Sequence, residues 1–326
     1  MSGPDRRGEF ELIARYFAPL ASGEAGAFGL LDDAAVIAHG PGREIVVTTD
    51  ALVGGIHFIG DEPARDIARK ALRVNLSDLA AMGAVPRAYS LALALPDTVD
   101  DDWVADFAAG LGDDQAAFGL GLIGGDTVAT TGPPMVSITA YGECAAGRAI
   151  RRAGARAGDR LYVSGTIGDA AFGLRVLQGA LAVDGGEGLA ARYRLPAPRT
   201  ALGPRLAGLA TAMIDVSDGL VADLGHIAAA SGVGATIRAG AVPLSPPVRA
   251  LAAADSGHLV TAIIGGDDYE LLFTAPADRE GAVAALAAEL DIAITGIGEI
   301  ERETGVRVAD ANGRPVAIGD GGYRHF

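Results

Sequence analysis

Short acidic segments recur along the 326-residue chain, each beside a hydroxyl, an amide or a glycine. They are Asp32-Asp33, Thr48-Thr49-Asp50, Asn75-Leu76-Ser77-Asp78, Gly124-Gly125-Asp126 and Asp215-Val216-Ser217-Asp218. Carboxylates and hydroxyls are hard oxygen donors, the kind magnesium takes. At strand ends and helix starts they can converge on one edge of a sheet. The same residue types favour turns and helix caps. Taken singly, each segment leaves both readings open.

Other motifs point nowhere. Gly119-Leu120-Gly121-Leu122-Ile123-Gly124 spells the dinucleotide fingerprint, but a helical pattern precedes it and Asp126, Thr127 and a strand follow, the reverse of what that motif needs. Asp215-Val216-Ser217-Asp218-Gly219 lacks the leading glycine of a nucleophile elbow. Lys70, the single lysine, follows Arg69, so there is no Gly-Lys phosphate loop. Cys144 stands alone, which excludes intramolecular disulfides and cysteine-rich zinc sites. It reads as a space-filling strand residue.

The elements that must position the acidic segments alternate in period. Helical patterns fall on 9–20, 64–82, 99–117, 169–178, 201–211, 217–230 and 279–290. Strand patterns fall on 44–49 (read as buried and ending at Asp50), 88–95, 119–123, 135–143, 160–164, 213–215 and 270–275. Ser217-Asp218 is placed to cap the helix that follows. This mixture predicts an α+β or mixed α/β chain, with mixed sheets packed by helices. The basic, glycine-bearing stretch 147–158 has no apolar period and predicts a boundary between domains 1–147 and 148–326.

Composition narrows the partners. Half of the chain is apolar, and 26 basic against 41 acidic residues leave a net charge of −15. That argues against a nucleic-acid surface, which is usually basic. No apolar run is long enough to span a bilayer, and the N-terminus does not read as a signal peptide. The expectation is a soluble cytoplasmic protein with no nucleic acid and no membrane among its partners.

In combination the motifs are far more specific. Gly8-Glu9-Phe10, Asp32-Asp33-Ala34-Ala35, Thr48-Thr49-Asp50 with His57-Phe58, and Asn75 to Ala84 resemble the thiamine-monophosphate kinase family, within the aminoimidazole-ribonucleotide-synthetase-like superfamily. The resemblance continues through Gly124-Gly125-Asp126-Thr127, Gly165 to Asp169, Ile214 to Leu220, Gly265-Gly266-Asp267-Asp268-Tyr269-Glu270 and the terminal Gly322 to Phe326. Two positions depart from the family pattern. Leu30-Leu31 replaces Ile-Gly before Asp32-Asp33, and Asp267 replaces a glutamate.

The resemblance implies transfer of the ATP γ-phosphoryl group to thiamine monophosphate by two AIR-synthetase-like domains, the N-terminal one carrying the ATP and magnesium site and pairing in a homodimer. Two polyanions must then meet in an acidic protein. Like unit charges 4 Å apart repel by roughly 4 kcal/mol at an effective dielectric near 20, so several magnesium ions are expected. By resemblance, Asp33, Thr48, Thr49, Asp50, Asp78, Asp126, Asp215 and Asp218 fall on metal positions. Gly125, Asp126, Arg152 and Ser217 fall on ATP positions, and His57, Asp267 and Tyr323 on substrate positions. The acceptor phosphate is already anionic, so no general base is expected. Other readings are selenophosphate synthetase, the hydrogenase-maturation dehydratase, and a sensor that kept the pocket without the chemistry. The first two normally carry cysteines at places that Cys144 does not occupy.

Overall fold

The computed structural model describes residues 12–24, 40–60 and 62–318. The described residues divide into two compact units, one made of those up to Leu79 with Ala84–Gly147, the other of Ala80–Gly83 with those from Arg148 on.

The first unit is a four-stranded sheet with two long helices. Its strands are β1 (Arg43–Val53), β2 (Val85–Pro96), β3 (Gly121–Thr130) and β4 (Met135–Ala145), in the order β1-β4-β2-β3. The β1/β4 and β4/β2 pairs are antiparallel, and β2/β3 is parallel. Helix α1 (Ala64–Ala81) and helix α2 (Asp101–Phe118) are tied together by Asp114, fully buried between Arg69 and Arg73 at 3.1 and 2.6 Å. Helix α2 starts at Asp100, whose Oδ1 accepts the Trp103 N–H at 2.9 Å, and stops at the left-handed Gly119.

Alternation along the strands separates two faces. Tyr89, Leu91, Leu93 and Leu95 of β2 and Val136, Ile138 and Ala140 of β4 are buried, whereas Ala92, Met135 and Val128 are exposed. Strand β1 was expected to be buried and to end at Asp50. It runs on to Val53 and only Leu52 is buried, because an edge strand has a single neighbour and one uncovered face. Strand β3 was expected to stop at Ile123 but continues through Gly124-Gly125-Asp126. A Cβ at Gly125 would lie 1.9 Å from the Leu91 carbonyl oxygen, so glycine lets the two backbones pair this closely.

The second unit holds six strands: β5 (Arg160–Ser164), β6 (Ala212–Asp215), β7 (Gly234–Arg238), β8 (Leu271–Ala275), β9 (Ile294–Glu301) and β10 (Gly305–Ala309), in the order β10-β7-β9-β5-β8-β6. Its helices are α3 (Asp169–Leu177), α4 (Gly186–Arg194), α5 (Leu220–Ser231), α6 (Pro246–Ala254), α7 (Gly257–Ile264) and α8 (Glu280–Leu290). Leu161 and Val163 of β5 point into a core with Phe172, Leu224, Ile227 and Ile263. Tyr162, between them, points the other way, into a cluster with Phe273, Val283 and Leu286 of β8 and α8. The helix expected over 201–211 is only a 3-10 turn, Gly203–Leu206; Pro204 can open a helical turn but Gly208, at φ +86°, cannot continue one. The 9–20 pattern yields, in its described part, only short irregular turns, Ile13–Phe17 and Ala18–Ala21.

Candidate functional site

In the first unit, alternation on β1 sends Thr48, Asp50 and Leu52 to the helix-covered side. There the Thr48 hydroxyl donates to Asp78 Oδ2 at 2.5 Å, and Asn75 Oδ1 accepts the Asp50 N–H at 3.2 Å. Asn75 in turn donates to the Ala71 carbonyl, one helical turn back. Asp50 and Asp78 are hydrogen-bonded carboxyls. Burial, then the Asp78 charge, then that hydrogen bond push the Asp50 pKa up to about 7. Two half-buried carboxylates held this close are a donor set that a divalent cation would relieve.

The other acidic positions of this unit lie elsewhere. Thr49 faces the opposite side, its hydroxyl 2.8 Å from that of Thr139. Asp126 pairs with Ala92 on β3, the far edge strand. Three strand spacings separate β1 from β3, roughly 14 Å. So Thr48, Asp50 and Asp78 come together within this unit, while Thr49, Gly125 and Asp126 do not join them. His57 sits in the turn after β1. Its Nδ1 accepts the Val53 N–H at 3.0 Å, which places the proton of a neutral ring on Nε2, and Lys70 Nζ donates to the His57 carbonyl at 3.0 Å. The single lysine is therefore a brace for this turn.

In the second unit, Asp215 ends β6 buried, and the chain then turns through Val216-Ser217-Asp218-Gly219 into α5. Ser217-Asp218 was expected to cap that helix. The N-cap is Gly219, with no side-chain cap bond. Asp223, in the first turn, instead accepts the N–H groups of Ser217, Asp218 and Gly219 on its Oδ2, each at 3.1 Å. Burial and then the charge of Asp218 raise its pKa to about 7, against the pull of those three amides. Ligand atoms of Asp218, Asp223 and His226 lie within 4.8 Å of one another.

The Gly265–Glu270 turn docks on this one by backbone bonds, Asp267 N–H to Ser217 O and Tyr269 N–H to Val216 O, both at 2.8 Å. Ser217, Asp218 and Asp267 thus come together. Asp267 and Tyr269 both hold left-handed backbones, at φ 70° and 50°. Such strain persists only where neighbours enforce it, and it concentrates at functional sites. Two buried residues enforce it here. Asp268 accepts the Gly168 N–H at 2.7 Å and that of Ala170 at 3.3 Å, its pKa driven well up by burial. Glu270 is gripped by Arg199 at 2.5 and 2.6 Å, Arg192 at 2.9 Å and Ser164 at 2.6 Å. Sequence reasoning gave no role to Asp223, Arg192 or Arg199. Only Asp223 left a signal, a carboxylate in the first turn of an expected helix.

Arg152 is exposed in the loop before β5, its carbonyl accepting from Ser231 Oγ at 3.2 Å. Asp33 and Tyr323 lie outside the described residues, as does Leu30-Leu31.

Residues 31–144 match the AIR synthase related protein, N-terminal domain, and residues 156–311 the corresponding C-terminal domain. The chain is 42% identical to a thiamine-monophosphate kinase of Caulobacter vibrioides over 320 residues, 97% of this chain and 90% of the relative. The crystal structure of thiamine-monophosphate kinase from Stenotrophomonas maltophilia shares 43% identity at a TM-score of 0.85, covering 95% of this chain and 98% of that one. The solved complex of AaThiL with AMPPCP and TMP shares 30% identity at a TM-score of 0.78, covering 93% and 98%. A two-unit fold of mixed sheets and full-length likeness of this degree make the chain a member of the thiamine-monophosphate kinase family.

Proposed function

We propose that this protein transfers the γ-phosphoryl group of ATP directly to thiamine monophosphate, giving thiamine diphosphate and ADP. The observation that carries the reading is full-length similarity to kinases of that name, together with a relative that takes AMPPCP and TMP. Phosphoryl transfer requires positioning and charge neutralisation more than covalent chemistry. Magnesium ions, when bound, would supply that neutralisation, held by Thr48, Asp50 and Asp78, with Asp33, Thr49, Asp126, Asp215 and Asp218 as further ligands.

The chain's own residues do the positioning. Asn75 pins the Asp50 backbone and Thr48 orients Asp78, so both carboxylates are fixed before any ion arrives. Gly125, Asp126, Arg152 and Ser217 are assigned to ATP. His57, Asp267 and Tyr323 are assigned to the thiamine moiety, His57 through its Nε2 proton and Asp267 through the charge opposite a cationic thiazolium. Measuring ADP release with and without thiamine monophosphate tests the reading. Release that depends on the acceptor supports it, and equal release in both refutes it.

A homodimer is part of the proposal. The outward face of the first sheet leaves Ile45, Val47, Val128 and Met135 exposed, Val47 by 55%. Pairing two such faces would bury them and bring Thr49 and Asp126 to the junction. Light scattering at micromolar concentration should give twice the chain mass. A cytoplasmic location fits a chain whose Cys144 is a free buried thiol and in which no described helix is long and apolar enough to cross a membrane.

A further inference from the structure

Nothing assigned above uses Tyr269, although the Gly265–Glu270 turn holds it in a left-handed conformation. A bulky aromatic residue is an outlier there, and glycine would take the same backbone at less cost. The turn does not lack glycines; it places them where a side chain has no room. A Cβ at Gly265 would run into that of Ala171, and one at Gly266 into the Ser217 carbonyl oxygen. At 267 and 269, where the backbone favours glycine, it carries an aspartate and a tyrosine instead.

The alternate residues fix the turn. Asp268 and Glu270 are buried on their amide and guanidinium partners, and Arg192 adds a 3.1 Å bond to the Asp268 carbonyl. Asp267 and Tyr269 are left half-buried, their main chains pinned to Ser217 and Val216. With the backbone pinned, only side-chain torsions can still turn the Asp267 charge. The Tyr269 hydroxyl donates to Asp267 Oδ1 at 3.2 Å. A phenol on one carboxylate oxygen fixes the direction of the other.

We propose that Tyr269 is a positioning residue of the acceptor site, its phenol holding the Asp267 carboxylate in the orientation that meets the cationic thiazolium. Attraction between the two charges falls with distance, so a carboxylate free to swing would recognise the cation less well. The inference rests on the reading of Asp267 given above and adds the residue that makes its charge directional. The nucleotide lies outside its reach, because Ser217 meets this turn through its backbone carbonyl.

Calorimetric titration of the full-length protein with thiamine monophosphate, in AMPPCP and magnesium, tests it in the parent, Tyr269→Phe, Asp267→Ala and the double variant. Tyr269→Phe keeps the ring and should weaken binding about tenfold, the loss expected for one hydrogen bond to a charged group. Its affinity for AMPPCP, titrated separately, should equal the parent's. In the Asp267→Ala background the same change should have no further effect, because a residue acting through Asp267 has nothing left to position. A parent that binds no thiamine monophosphate would overturn the kinase reading and this inference with it. Three results from a parent that does bind it would overturn the role of Tyr269 alone: unaltered binding in Tyr269→Phe, an equal loss with and without Asp267, or a matching loss of AMPPCP affinity.

Discussion

Half-buried Asp50 and buried Asp223 both have pKa values pushed up to about 7, yet they sit in opposite surroundings. Around Asp50 the strongest neighbour is another carboxyl, Asp78, and its proximity adds to the burial penalty. Around Asp223 the charge of Asp218 likewise adds to burial, but three backbone N–H groups oppose both and bind the Ser217–Gly219 turn into a fixed shape. One site is electrostatically frustrated and would be relieved by a cation. The other is satisfied and serves as a clasp that presents Asp218. A shifted pKa alone does not separate these roles, since each site has a carboxylate neighbour; the three backbone donors found only at Asp223 do.

The comparison can be broken hardest at Asp50. Asp50→Asn removes a proposed metal ligand and should lower turnover by about 10³-fold or more, as loss of a major electrostatic element does. The same change removes a half-buried like-charge contact, so the metal-free variant at pH 8 should melt higher than the parent, by about 2–4 °C for each kcal/mol relieved. A variant that is both less active and less stable would argue that Asp50 is a structural residue like Asp223.

Asp223→Ala should cost about 2–3 kcal/mol, since three amides lose their acceptor in a buried turn. Asp223→Asn keeps a carbonyl oxygen for them and should cost less than about 1 kcal/mol. Equal losses in the two variants, measured by denaturant titration, would mean that charge and not acceptance holds the turn.

The smallest effect is a pH slope. A carboxyl whose folded pKa is raised contributes its stability in full below the unfolded value near 3.8 and loses it as pH rises through about 7. Metal-free protein should therefore become less stable between pH 4 and 7, and Asp50→Asn should flatten part of that slope. Magnesium should flatten it in the parent as well.

Much of this was readable in the sequence, and the misses have physical causes. Thr48-Thr49-Asp50 was visible as a strand, and its period of two already sends Thr49 away from its neighbours. The extension of β3 through Asp126 was not visible, because it depends on how closely β2 approaches Gly125. Helices α4 and α6 escaped notice because glycines at 185, 186 and 188 and the Pro246-Pro247 pair read as turn material, although proline suits a first helical turn. Asp223 lies five residues beyond Asp218, but its acceptor role needs the turn at Gly219, whose φ of 119° only the folded chain reveals. The grip of Arg192 and Arg199 on Glu270 spans more than 70 residues and leaves no local trace.

The most direct test of the account is ADP release in the presence of thiamine monophosphate, with magnesium and then with excess chelator, for the parent, Asp50→Asn and Asp223→Asn. Turnover should vanish in chelator for the parent, stay near zero in both conditions for Asp50→Asn, and follow the parent for Asp223→Asn. Full activity of the parent in chelator, or an Asp50→Asn variant as active as the parent, would contradict a kinase whose paired carboxylates exist to hold a metal ion.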